Sequence, residues 1–368
     1  MSKEKFTIGF ARRGYSTSGG AEAYLKRLGR GVAERGYSAQ LFTTDDWPDQ
    51  EWKFGELTRI RSKSPAGFAA ELERVRADAS CNVLVSLERV LRCDVYRAGD
   101  GVHQAWLNRR EKFEASWRPL VRNFSRKHRD ILRLEKSLLD DRGADRVIVN
   151  SQMIKNEIID LYNYRRDKID IIPNGIPLNQ FGFDPVRREK SRAELGLEAD
   201  EIAVVFAGSS WERKGLRYAV AAIERCESAK PRLLVAGKGE PGGYRSDRAR
   251  FLGELPDIRQ LLAAADIFLL PTIYDPFSNA CLEALACGLP VITTRANGFS
   301  EIMEDRIHGS IVEQADDVSD LCSAIEAWSD PTRRSAARAS ILKRASQFDI
   351  SKNVEKTLAV VLRTAESN

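Results

Sequence analysis

The stretch Asp275-Pro276-Phe277-Ser278-Asn279-Ala280-Cys281-Leu282-Glu283 sets two carboxylates eight positions apart. The spacing spans a loop and the helix predicted to follow it. Ser278, Asn279 and Ala280 fall at the expected helix start, where free N–H groups and the positive end of the helix dipole favour a phosphate. Glu283 suits the hydroxyls of a ribose, and Asp275, on the preceding loop, those of a sugar. An ordinary N-capped helix with a solvated Glu also accounts for the segment taken alone.

A second group is Gly208-Ser209-Ser210-Trp211-Glu212-Arg213-Lys214-Gly215. Arg213 can grip a diphosphate with two parallel donors and Lys214 as a point charge. A solvated basic loop is the plain alternative. Ser16-Thr17-Ser18-Gly19-Gly20-Ala21 opens another expected helix, and Gly19 and Gly20 would let the backbone approach a ligand closely. The pattern is neither a dinucleotide fingerprint nor a P-loop. Gly99-Asp100-Gly101-Val102-His103 places Asp100 and His103 between glycines, suited to a sugar or acceptor hydroxyl, although a packed or capping His103 is equally consistent. Gly237-Lys238-Gly239 and Gly253-Glu254-Leu255 are weaker signals, with backbone that could read a nucleobase edge.

The elements around these loops alternate. Strand-like runs are Phe6–Ala11, Ala39–Thr43, Asn82–Leu87, Asp94–Ala98, Arg146–Asn150 and Lys168–Pro173, with helical patterns such as Ala21–Arg35 and Ala66–Ala79 between. A second set follows: Ile202–Ala207, Arg232–Ala236, Ala249–Leu252, Asp266–Leu270 and Pro290–Thr293. Such alternation predicts parallel sheets covered by helices, here in two consecutive doubly wound, Rossmann-like α/β domains. Ligands on such sheets bind beyond the carboxyl ends of the strands, where the loops above fall. The expected division is 1–173, 174–349 and a terminal helix over 350–368. The turn Ile172-Pro173-Asn174-Gly175-Ile176-Pro177 marks the boundary, and Asn179–Arg192 reads as a polar loop.

At 368 residues, 43% hydrophobic and 30% charged, the chain is long enough for two sizeable cores. It has no apolar run near the length of a membrane span. Its amino terminus carries no signal-peptide pattern, so a cytoplasmic location is expected. The six cysteines form no C-x-x-C pair and the three histidines no ligand pattern, so neither a disulfide framework nor a zinc site is expected.

The net charge is +5, yet Gln104–Lys136 alone holds ten Lys/Arg against four Asp/Glu. Interleaved are Trp106, Phe113, Trp117, Leu120, Val121 and Phe124. Basic and aromatic side chains together suit an anionic membrane surface. Nucleic acid is not expected, because no RNA-binding motif accompanies the charge. A solvated helix pair with a buried stripe is the alternative.

Taken in order, these residues resemble the family 4 retaining glycosyltransferases of GT-B fold. The resemblance runs from Gly19-Gly20 through Ile172-Pro173-Asn174-Gly175-Ile176 and Arg213-Lys214-Gly215 to the acid-x7-Glu segment and Ala286-Cys287-Gly288-Leu289-Pro290-Val291. Asp94–His103, followed by the basic aromatic segment, is similar to the lipopolysaccharide core glucosyltransferase I group. The resemblance implies two domains with a cleft between them, a last helix crossing back, and no metal or other cofactor. It implies transfer of a hexose, glucose from UDP-glucose, to a glycolipid acceptor at the inner face of the cytoplasmic membrane. It assigns Arg213 and Lys214 to the diphosphate, and Ser278, Asn279, Ala280, Gly208, Ser209 and Leu255 to donor contacts. Glu283 is assigned to the ribose, Asp275 to the sugar, and Gly19, Gly20, Asp100 and His103 to phosphate, sugar or acceptor. Where the family usually has Glu, this chain has Asp275, one methylene shorter. Lys214→Ala is expected to abolish transfer and leave the fold intact. Alternatives are a GDP-mannose-dependent transferase, a sugar-nucleotide epimerase of the same architecture, and a catalytically inactive membrane-bound scaffold.

Overall fold

The computed structural model describes residues 6–16, 20–77, 79, 81–113, 126–227 and 230–367. They form two compact units, Met1–Pro173 with Lys352–Asn368, and Asn174–Ser351.

In the first unit the described strands are β1 (Thr7–Ala11), β2 (Ser38–Thr43), β3 (Gly55–Arg59), β4 (Val83–Ser86), β5 (Cys93–Arg97), β6 (Ala144–Val149) and β7 (Ile169–Ile171). They pair in parallel in the order β3-β2-β1-β4-β5-β6-β7. Helices α1 (Gly20–Glu34), α2 (Pro65–Ala77), α3 (His103–Glu111), α4 (Arg126–Leu139) and α5 (Gln152–Tyr162) cover the sheet. Strand β4 is buried at all of its positions because helices occupy both faces, hence its unbroken Val-Leu-Val core. Helix α1 buries Leu25, Leu28 and Val32, the three-and-four spacing of a single stripe.

The second unit contains α6 (Pro185–Glu194), β8 (Ala203–Ala207), the single turn α7 (Trp211–Lys214), α8 (Leu216–Arg225), β9 (Arg232–Ala236) and β10 (Ala249–Gly253). It continues with α9 (Arg259–Ala264), β11 (Ile267–Leu270), α10 (Asn279–Ala286), β12 (Val291–Thr294), β13 (Gly309–Val312), α11 (Val318–Ser329) and α12 (Pro331–Ala345). Its parallel sheet runs β10-β9-β8-β11-β12-β13. The last helix, α13 (Ile350–Ser367), packs its 352–367 portion on the first unit. A Cβ on Gly31 would come within 3.0 Å of Val354 and Leu358, so glycine permits that close approach. Thr357 also shares a 3.0 Å hydrogen bond with Tyr24 of α1.

Three elements differ from the sequence expectation. Strand β3, Gly-Glu-Leu-Thr-Arg, is a polar edge strand, mostly exposed, and lacks the apolar run that marks its neighbours. Strand β13, Gly-Ser-Ile-Val, opens on Gly and Ser, so only two apolar residues mark it. The expected loop over 179–192 instead contains α6, whose start is built by Asp184 accepting from Val186 N at 2.9 Å and Arg187 N at 3.1 Å, with Pro185 opening the first turn. Its signal is the cap rather than hydrophobic periodicity.

Both strand orders reverse once, between β1 and β4 in the first unit and between β8 and β11 in the second. At such a reversal, neighbouring crossovers leave on opposite faces and open a crevice beyond the carboxyl ends of the strands.

Candidate functional site

At the second reversal, the loop after β8 carries Arg213 and Lys214, and the loop after β11 carries Asp275 and Ser278. Main-chain bonds clamp the two loops together. Arg213 O accepts from Ile273 N and from Thr272 Oγ1, both at 2.9 Å. Gly215 turns the chain out of α7 with φ 79°, and a Cβ there would lie 1.8 Å from Pro271 O, so only glycine fits. That contact fixes the register in which Lys214 Nζ donates to Asp275 Oδ2, an ion pair with side-chain exposures of 12% and 6%.

Asp275 is buried and held on every side. Its N–H donates to Ala296 O at 3.0 Å, its carbonyl accepts from Gly298 N at 2.9 Å, and Oδ1 accepts from Phe277 N at 3.3 Å. The shorter acid therefore reaches Lys214 because the loop is anchored on the 296–298 turn. Lys214 and Asp275, assigned separate ligand roles from the sequence, are one unit. Losing Lys214 would strand a buried carboxylate, so its removal is predicted to cost stability, where the sequence reading expects an untouched fold. An ammonium bound to one carboxylate still has two N–H groups for phosphate oxygens.

Ser278 caps α10, its Oγ accepting from Cys281 N at 3.4 Å. Asn297 Oδ1 accepts from Ser278 N at 3.3 Å, locking the cap. The N–H groups of Asn279 and Ala280 then have no protein acceptor among the described residues, the arrangement that receives an oxyanion. Glu283 is the fifth residue of α10. Burial lifts its carboxyl to about 7, and no described residue gives it a hydrogen bond or an opposing charge. Its lone pairs are open to hydroxyl donors from a ligand.

Gly208 lies at the base of the same crevice. Its carbonyl accepts from Trp211 Nε1 at 3.0 Å, and a Cβ on Gly237 would sit 2.1 Å from Gly208 O. The β8 and β9 loops therefore touch through glycine. Ser209 is exposed, as is Leu255, at 37%. The structure thus brings together Gly208, Arg213, Lys214, Asp275, Ser278, Asn279, Ala280 and Glu283 around one reversal, with Leu255 on the more distant β10 loop.

In the first unit Gly20 opens α1, and Gly19 lies outside the described residues. Beside the reversal, Arg12 after β1 pairs with Glu22 of α1 at 3.0 Å and with Glu88 after β4 at 2.6 Å. Burial raises the Glu88 carboxyl, opposed by Arg12. Asp100 is exposed on the loop after β5.

His103 begins α3, where its Nε2 shares a 2.9 Å hydrogen bond with His128 Nδ1. Burial and then Arg89 lower its pKa to about 4, so the ring is neutral near pH 7. The residue that positions this loop is Glu135 of α4, 1% exposed. It accepts from His103 N at 2.7 Å, Gln104 N at 3.0 Å, Arg89 Nε at 2.9 Å and Tyr162 OH at 2.7 Å. Sequence reasoning missed it: a Glu in a charged helix looks solvated, and only the fold brings α3 onto it.

Of the segment 104–136, Trp117, Leu120, Val121 and Phe124 lie outside the described residues. Within the described part Leu107 and Leu134 are buried, so some of its apolar side chains belong to the core of the unit. No helix among the described residues is long and apolar enough to cross a membrane.

Residues 18–180 match the family described as Glycosyltransferase Family 4, and residues 201–330 that described as Glycosyl transferases group 1. A probable transglycosylase of Burkholderia thailandensis is 30% identical over 78% of this chain and 77% of its own length. A D-inositol 3-phosphate glycosyltransferase of Saccharomonospora viridis is 27% identical over 88% of this chain and 83% of its own. Among solved structures, WaaG, a glycosyltransferase involved in lipopolysaccharide biosynthesis, matches with a TM-score of 0.80 at 21% identity, covering 96% of this chain and 99% of that one. Anabaena Alr3699/HepE in complex with UDP-glucose matches at 0.73 and 23% identity, covering 96% and 99%. These two likenesses are of fold.

Proposed function

From the premise that the chain belongs to the family 4, group 1 glycosyltransferases of GT-B fold, we propose that it transfers glucose from UDP-glucose, with retention, to a glycolipid acceptor of the lipopolysaccharide-core kind. The observation that carries the donor assignment is the Lys214–Asp275 pair beside the open start of α10, with Glu283 unpartnered four residues further along. In this reading Arg213, Lys214 and the N–H groups of Asn279 and Ala280 hold the diphosphate. Their fixed positive charge stabilises the departing nucleotide, so no metal is needed. Glu283 takes the ribose hydroxyls. Asp275 fixes Lys214 and leaves its remaining acceptor capacity to the sugar. Gly208 and Ser209 approach the donor through their backbone, while Leu255 lies toward the base.

The HepE neighbour, solved with UDP-glucose, supports the choice of donor, and WaaG supports the kind of acceptor. In the first unit, Gly19, Gly20, Asp100 and neutral His103 are proposed to receive the acceptor. The basic segment 104–136 is proposed to bring the enzyme to anionic lipid at the inner face of the cytoplasmic membrane. The Saccharomonospora viridis relative favours a second reading, in which the acceptor is a phosphorylated polyol and the donor site is unchanged.

The test is incubation with UDP-glucose, GDP-mannose and other sugar nucleotides, with and without a lipopolysaccharide-core acceptor, following release of the nucleotide. UDP release from UDP-glucose that rises with acceptor is expected. Preference for GDP-mannose would overturn the donor assignment. For the membrane step, sedimentation with vesicles containing anionic lipid but not with neutral ones is expected, and indifference to vesicle charge would remove that step.

A further inference from the structure

A second polar recess lies in the second unit at the amino-terminal ends of the strands, beside the residues that lead into β11 and β12. Asp266 immediately precedes β11, and Gly288–Pro290 precede β12. The recess is small, with a cavity volume of about 20 Å³, and its polar lining comes from Asp184, Arg188, Asp266, Arg334 and Arg338. Asp266, 4% exposed, receives three guanidiniums: Arg188 at 2.7 Å, Arg192 at 3.1 Å and Arg334 at 3.1 Å. One carboxylate thus faces three arginines before Arg338 is counted. Asp184 does little to redress this, because its carboxylate is turned to the N–H groups at the start of α6.

The roles of the first three arginines are partly structural. Arg188 and Arg192 donate to Ala264 O at 3.2 Å, and Arg334 donates to Trp328 O and Ser329 O at 2.8 and 2.7 Å. Those carbonyls end α9 and α11, where a cation is favoured. Arg338 has no such role. Its guanidinium lies 3.8 Å over the Phe183 ring, its buried Nε has no hydrogen-bond partner, and no described acceptor receives it. Burial lowers the pKa of both Arg334 and Arg338 and neighbouring arginines lower them further, opposed for both by Asp266. An ordinary helix-capping network would have left Arg338 paired or extended into solvent. Instead, the Phe183 face and the neighbouring backbone keep it in the recess beside like charge; a Cβ on Gly288 would lie 3.0 Å from its Cγ.

We infer that this recess is a binding site for a small oxyanion of the phosphate class, held by Arg338 with Arg188 and Arg334. A planar guanidinium stacked on an aromatic ring presents its donors as a fork, the geometry that grips two oxygens of one phosphate. The site is separate from the donor crevice, which lies beyond the carboxyl ends of the same strands. It goes beyond the proposed glycosyl transfer and does not depend on it.

The test is calorimetric titration of inorganic phosphate into the full chain in a buffer free of other oxyanions, with the Arg338 variants separating this recess from the donor crevice. Binding of phosphate that depends on Arg338 is expected in the wild type. Arg338→Gln should weaken it by about tenfold or more. Arg338→Lys keeps the charge, loses the fork, and should weaken it less. The circular dichroism of each variant reports folding; if Arg338→Gln fails to fold, the lysine variant decides by itself. No phosphate binding to the wild type, or equal binding to wild type and Arg338→Lys, would overturn the inference.

Discussion

Glu283 offers a test that needs no substrate. Its carboxyl, ordinarily near 4.5, stands at about 7 because α10 carries it into the protein with nothing to balance its charge. The folded state therefore binds this proton more tightly than the unfolded chain. Stability falls as pH rises between about 4.5 and 7, and the penalty is complete above that window and absent below it. A rise of this size corresponds to about 3 kcal/mol, reduced to about 2 kcal/mol because Glu283 is only half-buried.

Glu283→Gln removes the ionisation and keeps the shape. In urea unfolding, the variant should be more stable than wild type by about 2 kcal/mol at pH 8, with the difference shrinking steadily toward pH 5. If the same carboxylate receives ribose hydroxyls, a bound nucleotide lowers its pKa. Calorimetry of UDP in buffers of different ionisation enthalpy should then show release of up to about half a proton at pH 7. Equal unfolding midpoints for variant and wild type at pH 8, or a difference independent of pH, would refute the reasoning.

Three further outcomes follow from the geometry. Lys214→Ala and Asp275→Ala each leave one buried charge unpaired and should cost about 3 kcal/mol or more in urea unfolding, while the double variant should cost less than their sum. Gly215→Ala forces a Cβ onto Pro271 O at a positive φ and should lower the unfolding midpoint as severely as a core truncation, with loss of UDP binding. Glu135→Gln keeps the shape but loses the charge facing Arg89 and weakens the cap of α3; it should cost about 2 kcal/mol by urea unfolding, and hydrogen exchange should rise at His103 and Gln104.

Much of the architecture is legible because buried parallel strands cannot hide. Ala203–Ala207 and Ile267–Leu270 are apolar throughout, and each is followed by a loop and a helix signal. The start of α10 is legible from the small polar residues before its apolar run. Relationships across the fold are not legible in the same way. Lys214 and Asp275 are 61 positions apart, and their pairing depends on β8 lying next to β11 and on Gly215 fitting under Pro271. Glu135 sits in a charged helix and Asp266 alone among apolar residues at a strand start, and neither context names the groups that meet it. Only tertiary structure turns one into a helix cap and the other into the centre of an arginine cluster. Edge strand β3 escaped because its exposed positions carry polar residues.

The central claim is that the second unit binds a nucleoside diphosphate at the reversal between β8 and β11. Arg213 tests it most cleanly, because no described residue receives a hydrogen bond from its side chain, so truncation leaves no protein partner unpaired. Calorimetric titration of UDP into wild type and Arg213→Ala is the measurement. The account predicts one UDP per chain in the wild type and affinity lowered about tenfold or more in a variant that remains folded. Undiminished affinity in Arg213→Ala, or no UDP binding by the wild type, would contradict it.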